Sequence, residues 1–239
     1  MTDVKLSSNT INLLKNFSTI NQGIKVKKGS QIRTIAVSKN ILAEADVDEH
    51  FPQDFAIYDL NEFLALVTLF KEPILRFKDS KSVMITDASG RNKVNYFFAG
   101  EAVVVGPPSD KKLSLPSEDV NFTLSKDSLL QVMKAAGILG HKFIVVRGKR
   151  GQEVSLVATD IKDNTANEFS MAIEGATAEA DFDMIFDVEN LKMVPDDYEV
   201  TLCANPFYAR FASKAAGDLQ YWIALNKDST YSKTSAEAA

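Results

Sequence analysis

The chain is poor in the residues from which active centres are usually built. Its 239 residues include one cysteine, two histidines and one tryptophan. A single cysteine, Cys203, excludes an intramolecular disulfide. Its setting in Val200-Thr201-Leu202-Cys203-Ala204 suits a buried, unreactive thiol. With one cysteine, the widely separated His50 and His141 cannot complete a cysteine/histidine zinc site. Neither Gly-x-x-x-x-Gly-Lys-Ser/Thr nor Gly-x-Gly-x-x-Gly occurs, so nucleotide binding has no support. No Gly-x-Ser-x-Gly supplies a nucleophile elbow. The longest apolar run, residues 63–70, is broken by Thr68, whereas a membrane-spanning helix needs roughly 20 residues. The start, Met1-Thr2-Asp3-Val4-Lys5, lacks the basic-then-apolar layout of a secretion signal, and a cytosolic protein is expected.

Three weaker features have plainer readings. Gly148-Lys149-Arg150-Gly151 matches the loop of a KH module but joins two strand-like runs, which favours a basic hairpin turn. Asp46-Val47-Asp48-Glu49-His50 has metal-ligating residue types, against the plainer reading of a solvated acidic loop. Asp181 and Asp183 share one side of a strand, but an acid/base pair also requires a pocket. No catalytic residue, metal ligand or cofactor is assigned.

What is present is ordinary globular composition, 45% hydrophobic and 25% charged with a net charge of −5, and enough length for one to two domains. It is also repetitive. An apolar strand ending in a helix-capping residue occurs four times: Val4-Lys5-Leu6-Ser7, Ala56-Ile57-Tyr58-Asp59, Phe122-Thr123-Leu124-Ser125 and Met184-Ile185-Phe186-Asp187. The terminal oxygen of each can accept a bond from an orphan amide of a following helix. Amphipathic stretches follow: Ile11, Leu13, Leu14 and Phe17; Leu60, Phe63, Leu64 and Val67; Leu129, Leu130, Val132 and Met133; and a short fourth one, Val188, Leu191 and Val194, stopped by Pro195. Three strand-like runs with glycine-containing turns follow each. The fold class is therefore α+β, with strand–helix–three-strand units in duplicate within each of two similar domains. Their expected bounds are 1–105 and 121–230, with a linker at 106–120 and a disordered tail at 231–239.

Charge repeats with the same period. Residues 1–40 hold seven cations and one anion, while residues 41–63 hold seven acidic side chains and no lysine or arginine. Residues 122–151 hold six cations and one anion, and residues 153–190 hold ten acidic groups against Lys162. The helix sides opposite the apolar stripes read Ser8, Asn9, Asn12, Asn16 with Lys15, and Gln131 with Lys134. Polar, positive and poor in aromatics, they suit phosphate contact better than base reading. A solvated helix face is the alternative. Lys25, Lys27 and Lys28 fall at a hairpin and can face elsewhere.

The doubled unit resembles the sliding-clamp family of DNA polymerase processivity factors, in particular its T-even-like bacteriophage branch. The resemblance rests on Val4 to Ser8, Leu13-Leu14-Lys15-Asn16-Phe17-Ser18-Thr19-Ile20-Asn21, Ala56 to Asn61, and Ala224-Leu225 through Asp228-Ser229-Thr230. It implies a DNA-clamp fold in which three chains close head to tail into a ring around duplex DNA, without catalysis. Helices would line the hole and sheets the outer wall. The implied partners are double-stranded DNA bound without sequence preference, a DNA polymerase, a clamp loader and late-transcription proteins. The implied place is the cytoplasm of an infected bacterial host. Hole-lining candidates are Lys5, Lys15, Lys126, Lys134 and Lys192, with Glu62 a negative intrusion. Strand alternation over 93–99 puts Val94, Tyr96 and Phe98 on one face and Lys93, Asn95 and Phe97 on the other. Tyr96, Phe97 and Phe98 are accordingly expected at a subunit joint with Ala166 and Phe169 of the neighbouring strand, residues 166–171. A pocket for an apolar partner peptide is expected at Val103, Val104, Val105, Ala224 and Leu225. The competing reading is a structural or binding module of duplicated α+β units that does not act on DNA.

Overall fold

A computed structural model describes residues 2–108, 113–163, 165–213 and 218–232. The chain divides into two compact units that meet in sequence between residues 111 and 112. The first unit runs β1 (Thr2–Lys5), α1 (Ser8–Ile20), β2 (Ile24–Val26), β3 (Gly29–Ile35) and β4 (Ile41–Phe51), then β5 (Phe55–Ile57), α2 (Leu60–Val67), β6 (Ile74–Phe77), β7 (Ser82–Thr86) and β8 (Lys93–Phe97). The second unit repeats the order with β9 (Val120–Leu124), α3 (Lys126–Leu139), β10 (Phe143–Gly148), β11 (Glu153–Thr159) and β12 (Phe169–Thr177). Its closing half has β13 (Asp181–Asp187), a 3-10 turn (Val188–Asn190), β14 (Tyr198–Ala204), β15 (Phe207–Ser213), β16 (Gln220–Ala224) and β17 (Thr230–Ser232).

The two halves of each unit exchange their opening strands. β1 pairs antiparallel with β6, and β5 pairs with β2. In the second unit β9 pairs with β14, and β13 with β10. Each opening strand therefore hydrogen-bonds to the first strand after the other half's helix or, for β9, after its 3-10 turn. The first unit contains the sheet β1-β6-β7-β8, and the second contains β12-β11-β10-β13-β17 together with β16-β15-β14-β9.

Three helices begin as their sequences dictate. Ser7 Oγ accepts from Thr10 N at 3.1 Å, Asp59 Oδ1 from Glu62 N at 3.0 Å, and Ser125 Oγ from Ser128 N at 3.1 Å. Each cap is worth about 1 kcal/mol. Helix α1 buries Leu13, Leu14 and Phe17, and α2 buries Leu60, Phe63, Leu64 and Val67. These two helices pack together in the first unit, whereas α3 lies on β10, β11 and β12. Removing a side chain such as Phe17, which has no exposed surface, costs roughly 3–5 kcal/mol.

The expected fourth helix is absent, leaving only the 3-10 turn. Asp187 makes no cap; its Oδ1 accepts from Asn226 Nδ2 at 3.0 Å instead. The following segment is held by side chains: Tyr221 Oη accepts from Val194 N at 3.2 Å, and the Tyr198 hydroxyl donates to Val194 O. Lys192 consequently sits on an exposed loop rather than a helix. Leu130, expected in the apolar stripe of α3, is 43% exposed, and Ala136 takes a place in the core instead. Tyr231 and Ser232, expected in a tail, belong to β17 and pair with Phe182 and Asp181. Residues 233–239 lie outside the described residues, as do residues 109–112 of the linker.

The weaker sequence features resolve into structure. In the 148–151 turn, a Cβ on Gly148 would meet the Phe182 ring at 2.4 Å, and Gly151 has φ +78°. Close packing and a left-handed turn account for both glycines. Asp181 accepts from Arg150 N at 2.9 Å, and Asp183 pairs with Arg147 Nε at 2.9 Å. The acidic run 46–50 is strand, not loop. Alternation in β4 exposes Asp46, Asp48 and His50 and turns Glu49 inward. Glu49 accepts from Ser7 N and from Thr10 Oγ1, each at 2.5 Å. It therefore anchors the start of α1, and the run does not converge on a metal.

Both Tyr198 and Tyr221 are fully buried. Burial pushes the hydroxyls well above the ordinary tyrosine range, most strongly for Tyr198. Above pH of about 10 the unfolded chain releases protons that the folded chain retains, so stability falls as pH rises. Tyr198→Phe is expected to cost about 1–2 kcal/mol and to flatten this alkaline loss. Urea denaturation measured at neutral pH and above pH of about 10 checks both effects.

Candidate nucleic-acid interface and subunit edges

Burying one side of a helix leaves the other to solvent, and here that side is polar. On α1 the exposed positions include Ser8, Asn9, Asn12, Lys15 and Thr19. On α3 they include Lys126, Asp127, Gln131 and Lys134. Lys15 and Lys134 lie mid-helix, have no ion-pair partner among the described residues, and extend into solvent. Lys126 is the first residue of α3, and its backbone N–H donates to Asp197 Oδ1 at 2.7 Å. Lys5 is exposed on β1, where it pairs with Glu72 at 3.1 Å. That pair is open to water and contributes little stability. Helix α2 exposes Asn61, Glu62 and Ala65, so its solvent side carries a negative charge. The five lysine candidates thus fall into different settings: two mid-helix, one at a helix start, one on a strand and one on a loop. Exposed apolar side chains on the helix sides were missed by the sequence reading. Ile138 is 75% exposed on α3, and its spacing from Leu129, about two and a half turns on, puts it opposite the buried stripe.

The sheet edges form the second part of the site. Among the described residues, β8 pairs only with β7, and β12 only with β11. In β8 the expected alternation is present. Tyr96 packs edge-on against Phe63 at 5.1 Å, and Phe98, just beyond the strand, stacks on Phe55 at 4.9 Å. Phe97 points the other way and is 70% exposed. Burial, with the charges of Glu62 and Asp59, raises the Tyr96 hydroxyl above its ordinary range. The edge segment 91–97 carries Arg91 and Lys93 and no acid, while 168–177 carries Glu168 and Glu174 and no base. Phe169 opens β12 and is half-buried. Ala166 precedes the strand, in a turn where its N–H donates to Asp163 O. The β12 edge also carries an irregularity opposite residues 153–155, with Gly175 at φ +74°. Such a feature bends an edge and restricts what pairs with it.

The expected peptide pocket divides. In the first unit Val103 and Val105 are exposed, but Val104 is buried, and a Cβ on Gly23 would lie 3.0 Å from its Cγ1. In the second unit Ala224 is half-buried, and Leu225 is buried with its N–H donating to Phe207 O. Val104 and Leu225 are therefore core residues and not a contact surface. Asn21 was missed as the organiser of the first segment. Its Nδ2 donates to Ile35 O at 2.9 Å and to Val105 O at 3.1 Å, and its Oδ1 accepts from Gly23 N at 3.1 Å.

Duplicated strand-exchanged units, polar helix faces and two unpaired edges of opposite charge define the DNA-clamp class of proteins. A family model described as "DNA polymerase processivity factor" matches residues 5–105, and one described as "gp45 sliding clamp, C terminal" matches residues 121–227. The chain is 34% identical to the sliding clamp of Vibrio phage KVP40, over 83% of this chain and 90% of that one. It is 31% identical to the sliding clamp of Enterobacteria phage T4, over 95% and 99%. Among solved structures, a PCNA of A. fulgidus bound to a FEN-1 segment superposes with a TM-score of 0.69 at 13% identity, covering 96% of this chain and 100% of the other. The PCNA of Thermococcus kodakaraensis gives 0.68 at 14%, over 94% and 99%. The chain belongs to the phage sliding-clamp family of DNA polymerase processivity factors. That membership makes it a non-enzymatic protein.

Asn21→Ala would leave the Ile35 and Val105 carbonyls and the Gly23 amide without their side-chain partner. An expected loss of about 1–3 kcal/mol is read from the urea midpoint. Faster proteolysis near residues 103–105 should accompany it.

Proposed function

We propose that three copies of the chain close head to tail, β8 of one against β12 of the next, into a ring around duplex DNA. As a sliding clamp the protein encircles DNA and tethers the DNA polymerase for processive synthesis. The observation that carries it is the pair of unpaired edges in different units of one chain: a basic one bearing exposed Phe97, and an acidic one opening on Phe169. Unlike edges on one chain make a heterologous contact, which builds a closed ring when the rotation closes. Opposite charge guides the register and the aromatic anchor supplies the buried contact. Tyr96 and Phe98 act from behind the joint by fixing the strand that presents Phe97.

Within the ring, Lys15 and Lys134 are the principal phosphate contacts. Lys5, Lys126 and Lys192 support them from a strand, a helix start and a loop. Weak, sequence-independent contacts of this kind hold a duplex without arresting movement along it. A clamp loader opens the ring, and partner proteins, late-transcription proteins among them, dock a short apolar segment on Val103 and Val105 or beside Ala224. The setting is the cytoplasm of an infected bacterial host, since the matched relatives are phage proteins.

Two variants separate enclosure from grip. Phe97→Asp is expected to shift sedimentation from the mass of three chains toward one and to abolish processive synthesis. Lys15→Gln with Lys134→Gln should leave the mass at three chains and weaken processive synthesis, increasingly so as salt rises. A Phe97→Asp protein that still sediments at the mass of three chains rules out this joint.

A further inference from the structure

Lys25, Lys27 and Lys28 belong to neither the helix faces nor the sheet edges. Ile24 and Val26 of β2 are buried, which turns Lys25 to the opposite face. In β3 the buried Ile32 and Thr34 likewise turn Gln31 and Arg33 away from the core. These residues line a cavity of about 670 Å³ in the first unit, within the range of pockets that take ligands. Four cations, Lys25, Lys27, Lys28 and Arg33, face it against two carboxylates, Asp54 and Glu101.

Part of that charge is already engaged. Lys27 Nζ donates to Asp54 Oδ2 at 2.8 Å, while Asp54 Oδ1 accepts from Lys28 N at 2.8 Å. Arg33 pairs with Glu44 at 3.2 Å. The side-chain ammonium groups of Lys25 and Lys28 have no carboxylate partner among the described residues. Nor is Lys25 an ordinary solvated lysine. Its stem passes beneath the chain at Gly106, where a Cβ would lie 2.8 Å from its Cδ and 3.2 Å from its Cγ. Gly106 and Pro107 thus form a wall over the stem. Pinning the stem removes rotamer freedom before any ligand arrives and holds the ammonium at the cavity.

We infer that this cavity docks an acidic, extended segment of a partner protein, with carboxylates on Lys25 and Lys28 and the neutral Ser30 and Gln31 beside them. Charge complementarity selects the chemistry, and the neighbouring strand selects the shape. β4 places Asp46 and Asp48 on its exposed side, and Gln31 Nε2 already donates to Asp46 Oδ1 at 3.0 Å. A rigid duplex, with a charge about every 1.7 Å of axis, would lay phosphates along those carboxylates. A flexible peptide places its acidic groups in the cavity and turns away.

The probe is a fluorescein-labelled hexaglutamate peptide, followed by anisotropy with the full chain at low salt. Lys25→Gln with Lys28→Gln should weaken binding about fivefold or more, as expected for two lost charge contacts. Lys25→Arg with Lys28→Arg should retain much of it. Gly106→Ala, which displaces the Lys25 stem while keeping every charge, should also weaken it. Lys15→Gln with Lys134→Gln should bind the peptide as the unaltered chain does. Equal affinity in the Lys25/Lys28 glutamine variant overturns the proposal. So does a labelled short duplex that loses as much affinity in that variant as the peptide does, since the cavity would then be a nucleic-acid site.

Discussion

The exchange of opening strands between the halves of each unit governs the rest of the structure. Neither half can complete its sheets alone, because β1 hydrogen-bonds to β6 and β5 to β2, and likewise β9 to β14 and β13 to β10. Once these pairings form, helix position is fixed: β1, β5 and β9 each lead into a cap, and the cap sets the first turn. Glu49 tightens the link in the first unit by reaching from β4 to Ser7 N and the Thr10 hydroxyl. The apolar side of α1 must then meet the core, leaving Lys15 and its polar neighbours to solvent. The same pairings use one side of β7 and β11 for internal neighbours and leave β8 and β12 as edges. The polar helix sides and the joinable edges therefore have one cause.

Much of this was legible in sequence because caps, alternation and turns are local signals. Ser7, Asp59 and Ser125 cap as their positions demand, and Phe97 stands opposite Tyr96 because a strand alternates. What escaped depends on distant partners. Asp187 has the same residue type as Asp59 but spends its oxygen on Asn226, 39 residues away, and no full helix follows. Glu49 lies in an acidic run that composition assigns to solvent. Only the register of β4 turns it inward, and only the start of α1 gives it donors. Leu130 turns outward and Ala136 is buried because α3 lies on a sheet without a second helix, so its buried stripe is narrower than that of α1. Tyr231 looked like tail until β13 offered it an edge and Phe182 a stacking partner at 6.2 Å.

The charge distribution has the same logic. A net charge of −5 suits a DNA protein only if attraction is local. Several cations are spent within the fold: Arg147 on Asp183 and Glu168, Lys27 on Asp54, Arg76 on Asp3. The exposed helix sides themselves carry few cations, Lys15 on α1 and Lys126 and Lys134 on α3, and α1 relies on asparagines that offer hydrogen bonds without charge. Such a face gives a small counterion-release contribution and hence weak binding. Weakness of that kind is useful only where something other than affinity keeps the duplex in place. In the proposed ring, closure supplies it: edges joined through aromatic and oppositely charged groups would retain DNA by topology, so they must outlast the phosphate contacts. In such a ring the strand edges and the packing behind them matter more to holding the duplex than any single lysine does.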